Sequence, residues 1–196
     1  MRIHNQQVAK FADSGLGRYT ANAGKSRSCG VELTLRANIT DNWSVDANYG
    51  YTHATFKEYL TNKKVYDNTG KVSLVPVDYS DKYVPFAPQQ TYNIGTQYVL
   101  HMTERFLVKN ITFHADYSGI GRTYWTEAND VYQRAYGLFN ARLSAQIGKL
   151  LQVDLWGRNL LNKDYAVFYF DGSNANAGFM QKGRPTQGGI DLRFKF

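Results

Sequence analysis

The chain has 196 residues, 43% of them hydrophobic and 15% aromatic, with a formal net charge of +7 and one cysteine. No apolar run approaches the roughly 18 residues of a membrane helix, and the lone Cys29 excludes an intrachain disulfide. The 23 basic residues are scattered, with no run longer than Lys63-Lys64, so they read as polar-face and loop charges and not as a nucleic-acid patch.

The segment Met1 to Gln7 is polar, and no apolar stretch of the kind a secretory leader carries follows it. The expectation is that these residues are the tail of a longer chain. Gln6 to Phe11 is a weak candidate strand. Asn22-Ala23-Gly24-Lys25-Ser26 looks like half of a phosphate-binding loop, but position 19 is Tyr where that motif needs Gly. No apolar strand leads in and no helical pattern follows, so the likeness is chance.

From Val31 the chain alternates. Val31, Leu33, Leu35, Ala37 and Ile39 interleave with Glu32, Thr34, Arg36 and Asn38. A strand points successive side chains to opposite faces, so one face is apolar and the other polar. After the turn Thr40-Asp41-Asn42 the pattern resumes with Trp43, Val45, Ala47, Tyr49 and Tyr51. It fades around Phe56 to Tyr59 and returns at Tyr92, Ile94, Thr96, Tyr98 and Leu100. It recurs at Ile111, Phe113, Ala115 and Tyr117, at Phe139 to Ile147, at Leu151 to Gly157, and at Ile190, Leu192, Phe194 and Phe196.

Strands are therefore predicted near 30–39, 43–56, 91–101, 107–120, 136–147, 151–162 and 187–196. The segments near 40–42, 101–105 and 148–150 are short. Those near 12–27, 57–90, 121–134 and 163–186 are long and rich in Gly, Asn, Asp and Tyr. Tilted strands of about 9–11 residues, with short turns at one end and long loops at the other, are the pattern of a transmembrane β-barrel. The predicted fold is all-β, a single one-layered antiparallel up-and-down sheet.

Chemistry-bearing residues are dispersed. His4, His53, His101 and His114 have no metal-ligand spacing, and Cys29 has no Cys or His close by. Apart from Asp78 and Asp81 the acids are spread out, and no Gly-x-Ser-x-Gly elbow exists. No catalytic, metal or cofactor site is expected, and no enzyme. Asp46, Asn48, His114, Asp116, Asn140 and Arg142 fall on the polar face and would line a lumen. Trp43, Phe194 and Phe196 would meet at one membrane edge as an aromatic girdle. Tyr124, Trp125 and Tyr132 lie in a long loop, where they either stack on a ligand or pack the loop.

Four stretches carry a family resemblance: Asn22-Ala23-Gly24-Lys25-Ser26 with Gly30-Val31-Glu32-Leu33; Tyr49-Gly50-Tyr51-Thr52-His53-Ala54; Val84-Pro85-Phe86-Ala87-Pro88; and Arg158-Asn159-Leu160-Leu161-Asn162-Lys163-Asp164-Tyr165. With Gly183-Arg184-Pro185 and the terminal strand, they span nearly the whole chain. The chain resembles the C-terminal part of TonB-dependent outer-membrane receptors, particularly siderophore-receptor-like members. The resemblance implies about eight strands of a larger, 22-stranded barrel in the Gram-negative outer membrane. It makes residues 1–196 a partial barrel domain, with the plug and the TonB box outside them. Implied partners are outer-membrane lipid, the barrel-assembly machinery acting on the last strand, and, for the full-length protein, TonB and a metal chelate or similar nutrient. Two other readings compete: a complete small eight-stranded barrel with a structural or adhesion role, and a soluble sheet protein, which would need a second layer over its apolar face.

Overall fold

The computed structural model describes every residue except 1, 5–6, 12–17, 23, 67–68, 70, 104–106, 172–177 and 196. All regular elements among the described residues are strands. In chain order they are β1 (Arg2–His4), β2 (Gln7–Phe11), β3 (Arg18–Asn22), β4 (Lys25–Thr40), β5 (Trp43–Glu58) and β6 (Leu60–Tyr66). Next come β7 (Val72–Asp78), β8 (Gln90–His101), β9 (Val108–Ile120), β10 (Thr123–Tyr124) and β11 (Tyr132–Gln133). The last five are β12 (Tyr136–Ile147), β13 (Leu151–Arg158), β14 (Ala166–Asp171), β15 (Gly178–Lys182) and β16 (Gln187–Phe194).

Eight strands form one antiparallel sheet in the order β1-β4-β5-β8-β9-β12-β13-β16. Each sheet strand pairs with the next one along the chain, so the topology is up-and-down. The register keeps apolar opposite apolar: Leu33 faces Tyr49, Tyr98 faces Phe113, Phe113 faces Leu143 and Val153 faces Leu192. Polar residues pair likewise, Arg36 with Asp46 and Asp116 with Asn140. A one-residue slip would exchange the two faces, so alternation fixes the register.

The long strands are joined at one end by tight turns. At the first, the Thr40 hydroxyl accepts hydrogen bonds from the N–H groups of Asn42 and Trp43, at 3.3 and 3.1 Å. At the third, Gly148 takes a left-handed φ of 57°, which glycine adopts without a Cβ penalty. The long connections at the other end each carry a two-stranded hairpin: β2–β3, β6–β7, β10–β11 and β14–β15.

Two boundaries differ from the sequence reading by more than two residues, and the number of sheets differs as well. The strand expected from residue 30 begins at Lys25, and its pairing with β5 continues to Lys25–Glu58 across a bulge. The strand expected to run to 162 stops at Arg158, because Asn159 and Asn162 turn to φ of 48° and 47°. The expectation of a single sheet misses the four loop hairpins, while the weak strand at Gln6 to Phe11 is present as β2. Phe196 lies outside the described residues.

Among the described residues the sheet has no second layer over its apolar face. Val31, Leu33, Leu35, Ile94, Phe113, Leu155, Ile190, Leu192 and Phe194 are each more than half exposed. A soluble protein rarely leaves so large an apolar surface open. The buried apolar cluster instead sits at the loop end, where Phe56 and Tyr59 pack with Tyr79 and Val84. Among the described residues β1 and β16 are the two edges of an open sheet, which argues against a complete eight-stranded barrel. These strands form a stretch of wall.

Candidate functional site

The six residues assigned to the polar face all lie on one side of the sheet, since cross-strand partners share a face. Asp46 stands opposite Arg36 and, on its other flank, Gly95. Gly95 also faces Asp116, and Asp116 faces Asn140, so the four positions form one transverse row. A Cβ on Gly95 would press on the Asp46 carboxylate, 2.6 Å from Oδ1, so the glycine leaves space for that acid to lean along the row. Asn48 lies opposite Thr34 and Asn93 in a second row. His114 lies between Gln97 and Arg142 in a third.

One hydrogen bond lies within the first row, and one close approach of opposite polarity reaches it from the third. Asn140 Nδ2 donates to Asp116 Oδ2 at 2.8 Å, and His114 Nε2 approaches Asp116 Oδ1 at 3.6 Å. Toward the turns, Asp154 is fully buried, opposite Ser144 on one side and Asp191 on the other. Gln152 Nε2 donates to its Oδ1 at 2.9 Å. The Arg193 guanidinium lies 3.3 Å from Oδ2, an ion pair whose alignment falls short of a hydrogen bond. A carboxylate out of water needs such partners. Sequence reading did not single out Asp154; the signal available was its place in the polar alternation of the strand from Leu151.

The polar face connects to the loop end through Asn140, whose Oδ1 accepts from the Asn159 N–H at 3.0 Å. Asn159, only 3% exposed, is the centre of a knot. Its Nδ2 donates to the Lys163 and Arg184 carbonyls, at 3.0 Å each, and its Oδ1 accepts from the Lys163 N–H at 2.8 Å. Thr186 Oγ1 donates to the Asn159 carbonyl at 2.7 Å, and the Thr186 N–H donates to Asn162 Oδ1 at 3.2 Å. Both ends of the 159–186 connection are thereby clamped over the polar face.

Aromatic side chains join the loops. Tyr83 stacks on Tyr124 at 5.3 Å and meets His53 edge-on at 5.3 Å. Tyr124 touches Tyr132, over whose ring Arg122 sits at 5.0 Å. Phe86, held at φ 62°, packs between Trp125 and Phe168 at 5.4 and 5.6 Å. Of the two options for Tyr124, Trp125 and Tyr132, packing between loops is the arrangement present. Asp78, the last residue of β7, has its carboxyl held below the ordinary carboxylate range by the hydroxyl and N–H of Ser80.

The remaining motif residues have structural places. Lys25 Nζ donates to Glu58 Oε1 at 2.7 Å, so the lysine of the Gly24-Lys25 pair ties a strand end to its neighbour. Gly30 is required because a Cβ there would overlap the Tyr51 carbonyl. Trp43 and Phe194 are exposed on the apolar face at the turn end, and the Trp43 indole donates to Thr96 Oγ1 at 2.8 Å. Tyr49, Tyr51 and Tyr117 are exposed on the same face toward the loops, a second aromatic band that sequence reading did not separate from the general alternation.

With this geometry on hand, likeness to known proteins decides the family. The pattern of the family described as "TonB dependent receptor-like, beta-barrel" matches residues 1–160. The chain belongs to that family. An uncharacterized TonB-dependent receptor of Haemophilus influenzae is 31% identical over 173 residues, 84% of this chain and 44% of that protein. A probable TonB-dependent siderophore receptor, PiuA of Acinetobacter baumannii, is 26% identical over 145 residues, 74% of this chain and 18% of that protein. The chain thus spans less than half the length of these curated relatives. Among solved structures, the ferric yersiniabactin uptake receptor FyuA from Yersinia pestis superposes over the whole chain with a TM-score of 0.76. It is 18% identical, and the match covers 26% of its own chain. PiuA superposes with a TM-score of 0.68 at 22% identity, the match covering 25% of its chain. These two likenesses establish the fold, an antiparallel β-barrel of which this chain matches about a quarter. The family is one of receptors, not enzymes.

Proposed function

We propose that these residues form the C-terminal sector of the barrel wall of an outer-membrane receptor for energised uptake of a scarce nutrient, such as an iron–siderophore complex. The observation that carries this reading is the two-faced sheet: one apolar side left bare, the other a polar row aligned by register from Asp46 to Asn140, which is hydrogen-bonded on to Asn159. Lipid covers the first and a water-filled lumen the second. Relatives named as siderophore receptors support the nutrient class, and a metal chelate is the ligand this implies. TonB would energise release through a plug held by the wider barrel, and the barrel-assembly machinery would recognise β16. Residues 1–196 are proposed as barrel domain throughout.

The test is uptake by the intact receptor that carries these residues, in a host lacking its own siderophore receptors. Growth on a panel of ferric siderophores as the iron source, dependent on a functional TonB, is the expected result. Growth unchanged by the receptor across the panel, with the protein folded in the outer membrane, would overturn the proposal.

A further inference from the structure

One pair of charges on the apolar side of the sheet has no counterpart in the receptor chemistry above. Arg2 of β1 and Arg27 of β4 are directly opposite one another in the antiparallel register. Both are exposed. Like charges directly opposite on a sheet repel, yet no carboxylate pairs with either guanidinium among the described residues. The nearest cation along β4, Lys25, is already matched by Glu58 at 2.7 Å.

Parity decides which medium they face. Between Ser26 and Asn38 β4 pairs with β5 without a register shift, so Arg27 shares a side with Val31, Leu33 and Leu35, which are exposed on the apolar face. Height follows from the strand. Val31 to Ile39 spans about 27 Å of chain, or roughly 20 Å of membrane thickness at the usual barrel tilt, close to the apolar band of about 25 Å. Arg27 lies four residues beyond Val31, about 10 Å higher on the same scale, which is headgroup depth and within reach of a snorkelling side chain. Tyr51, opposite Val31, marks the interface just below. The surface is thus a cationic pair above an apolar and aromatic strip.

We propose that Arg2 and Arg27 form a binding site for the phosphate of an anionic outer-leaflet lipid, whose acyl chains lie along Val31, Leu33 and Leu35. A phosphate between the two guanidinium groups relieves their repulsion, and two planar forks suit its oxygens better than ammonium groups would. This inference rests on the barrel reading but not on the nutrient.

The experiment uses the intact receptor, purified in mild detergent, with native mass spectrometry counting bound lipid after addition of bis-phosphorylated lipid A or its dephosphorylated form. Retention of the phosphorylated form alone is expected. The double variant Arg2→Gln, Arg27→Gln should retain it at least about tenfold less, the factor that losing even one charge-assisted hydrogen bond corresponds to. Arg27→Lys should fall between, and Lys149→Gln, in a turn at the opposite end, should match the parent. Equal retention of the two lipids, or undiminished retention by the double variant, overturns the site. Heat-modifiable gel migration reports folding separately: variants that migrate as folded barrels and keep their siderophore uptake while losing lipid leave the nutrient reading intact. A parent that never folds in lipid overturns the barrel reading and the lipid site together.

Discussion

Leu143 and Arg142 are neighbours in β12 that meet different solvents. Leu143 pairs with Phe113 and Leu155 on the lipid side, whereas Arg142 pairs with His114 and Trp156 on the lumen side. Leu143→Arg is therefore expected to destabilise the inserted barrel by about 2–4 kcal/mol, the cost of charge near the midplane, while Arg142→Leu costs far less. Equilibrium unfolding of the intact receptor from lipid vesicles measures both; equal losses would mean the faces are exchanged. Asn159 offers a second test, because its three side-chain hydrogen bonds hold the 159–186 connection to the strand ends. At about 1 kcal/mol net for each bond, Asn159→Ala should loosen that connection by roughly 3 kcal/mol. Hydrogen exchange over 160–186 should rise while protection in β12 holds. Unchanged exchange would show that the knot is dispensable.

At the scale of elements, the hairpin β6–β7 forms a two-stranded sheet of its own among the described residues. Its strands pair from Leu60–Asp78 at the base to Tyr66–Val72. Because Leu60 and Asp78 are register partners, residues 61–77 can be replaced by a two-residue Asn-Gly turn that closes the base. Insertion, read as heat-modifiable migration, should be unaffected; loss of the folded band would show that the hairpin helps build the wall. The same contrast explains what was legible in the sequence. Strands that separate lipid from water must alternate strictly, so β4, β5, β8, β9, β12, β13 and β16 could be read from parity alone. The loop hairpins separate no two media, and Val72-Ser73-Leu74-Val75-Pro76-Val77 carries no such signal. Boundaries failed for a local reason. Lys25 to Cys29 is polar yet stays paired beyond the apolar band, and Leu160-Leu161 is an apolar pair that follows the left-handed Asn159 at which the strand has ended. The polar row was legible residue by residue, whereas Asn159's role as its link to the loops depends on partners up to 27 positions away.

For the whole molecule, the decisive feature is an open sheet with β1 and β16 at its edges. Along β16 about half of the backbone N–H and C=O groups point away from β13, since an antiparallel partner satisfies only alternate residues. In water those groups would be solvated; in hydrocarbon each costs several kcal/mol. No hydrophobic gain on the apolar face removes that cost, because the two act on different atoms. The 196 residues expressed alone behind an export signal are therefore expected to remain protease-sensitive, to aggregate or be degraded in the periplasm, and to restore no nutrient uptake. Supplying the remaining strands should recover a closed wall, because pairing both edges satisfies every group at once. Outer-membrane fractionation with surface protease digestion, followed by growth on ferric siderophore, distinguishes the cases. A protease-resistant monomer formed by these residues alone would mean that β1 and β16 find each other, and that eight strands suffice after all.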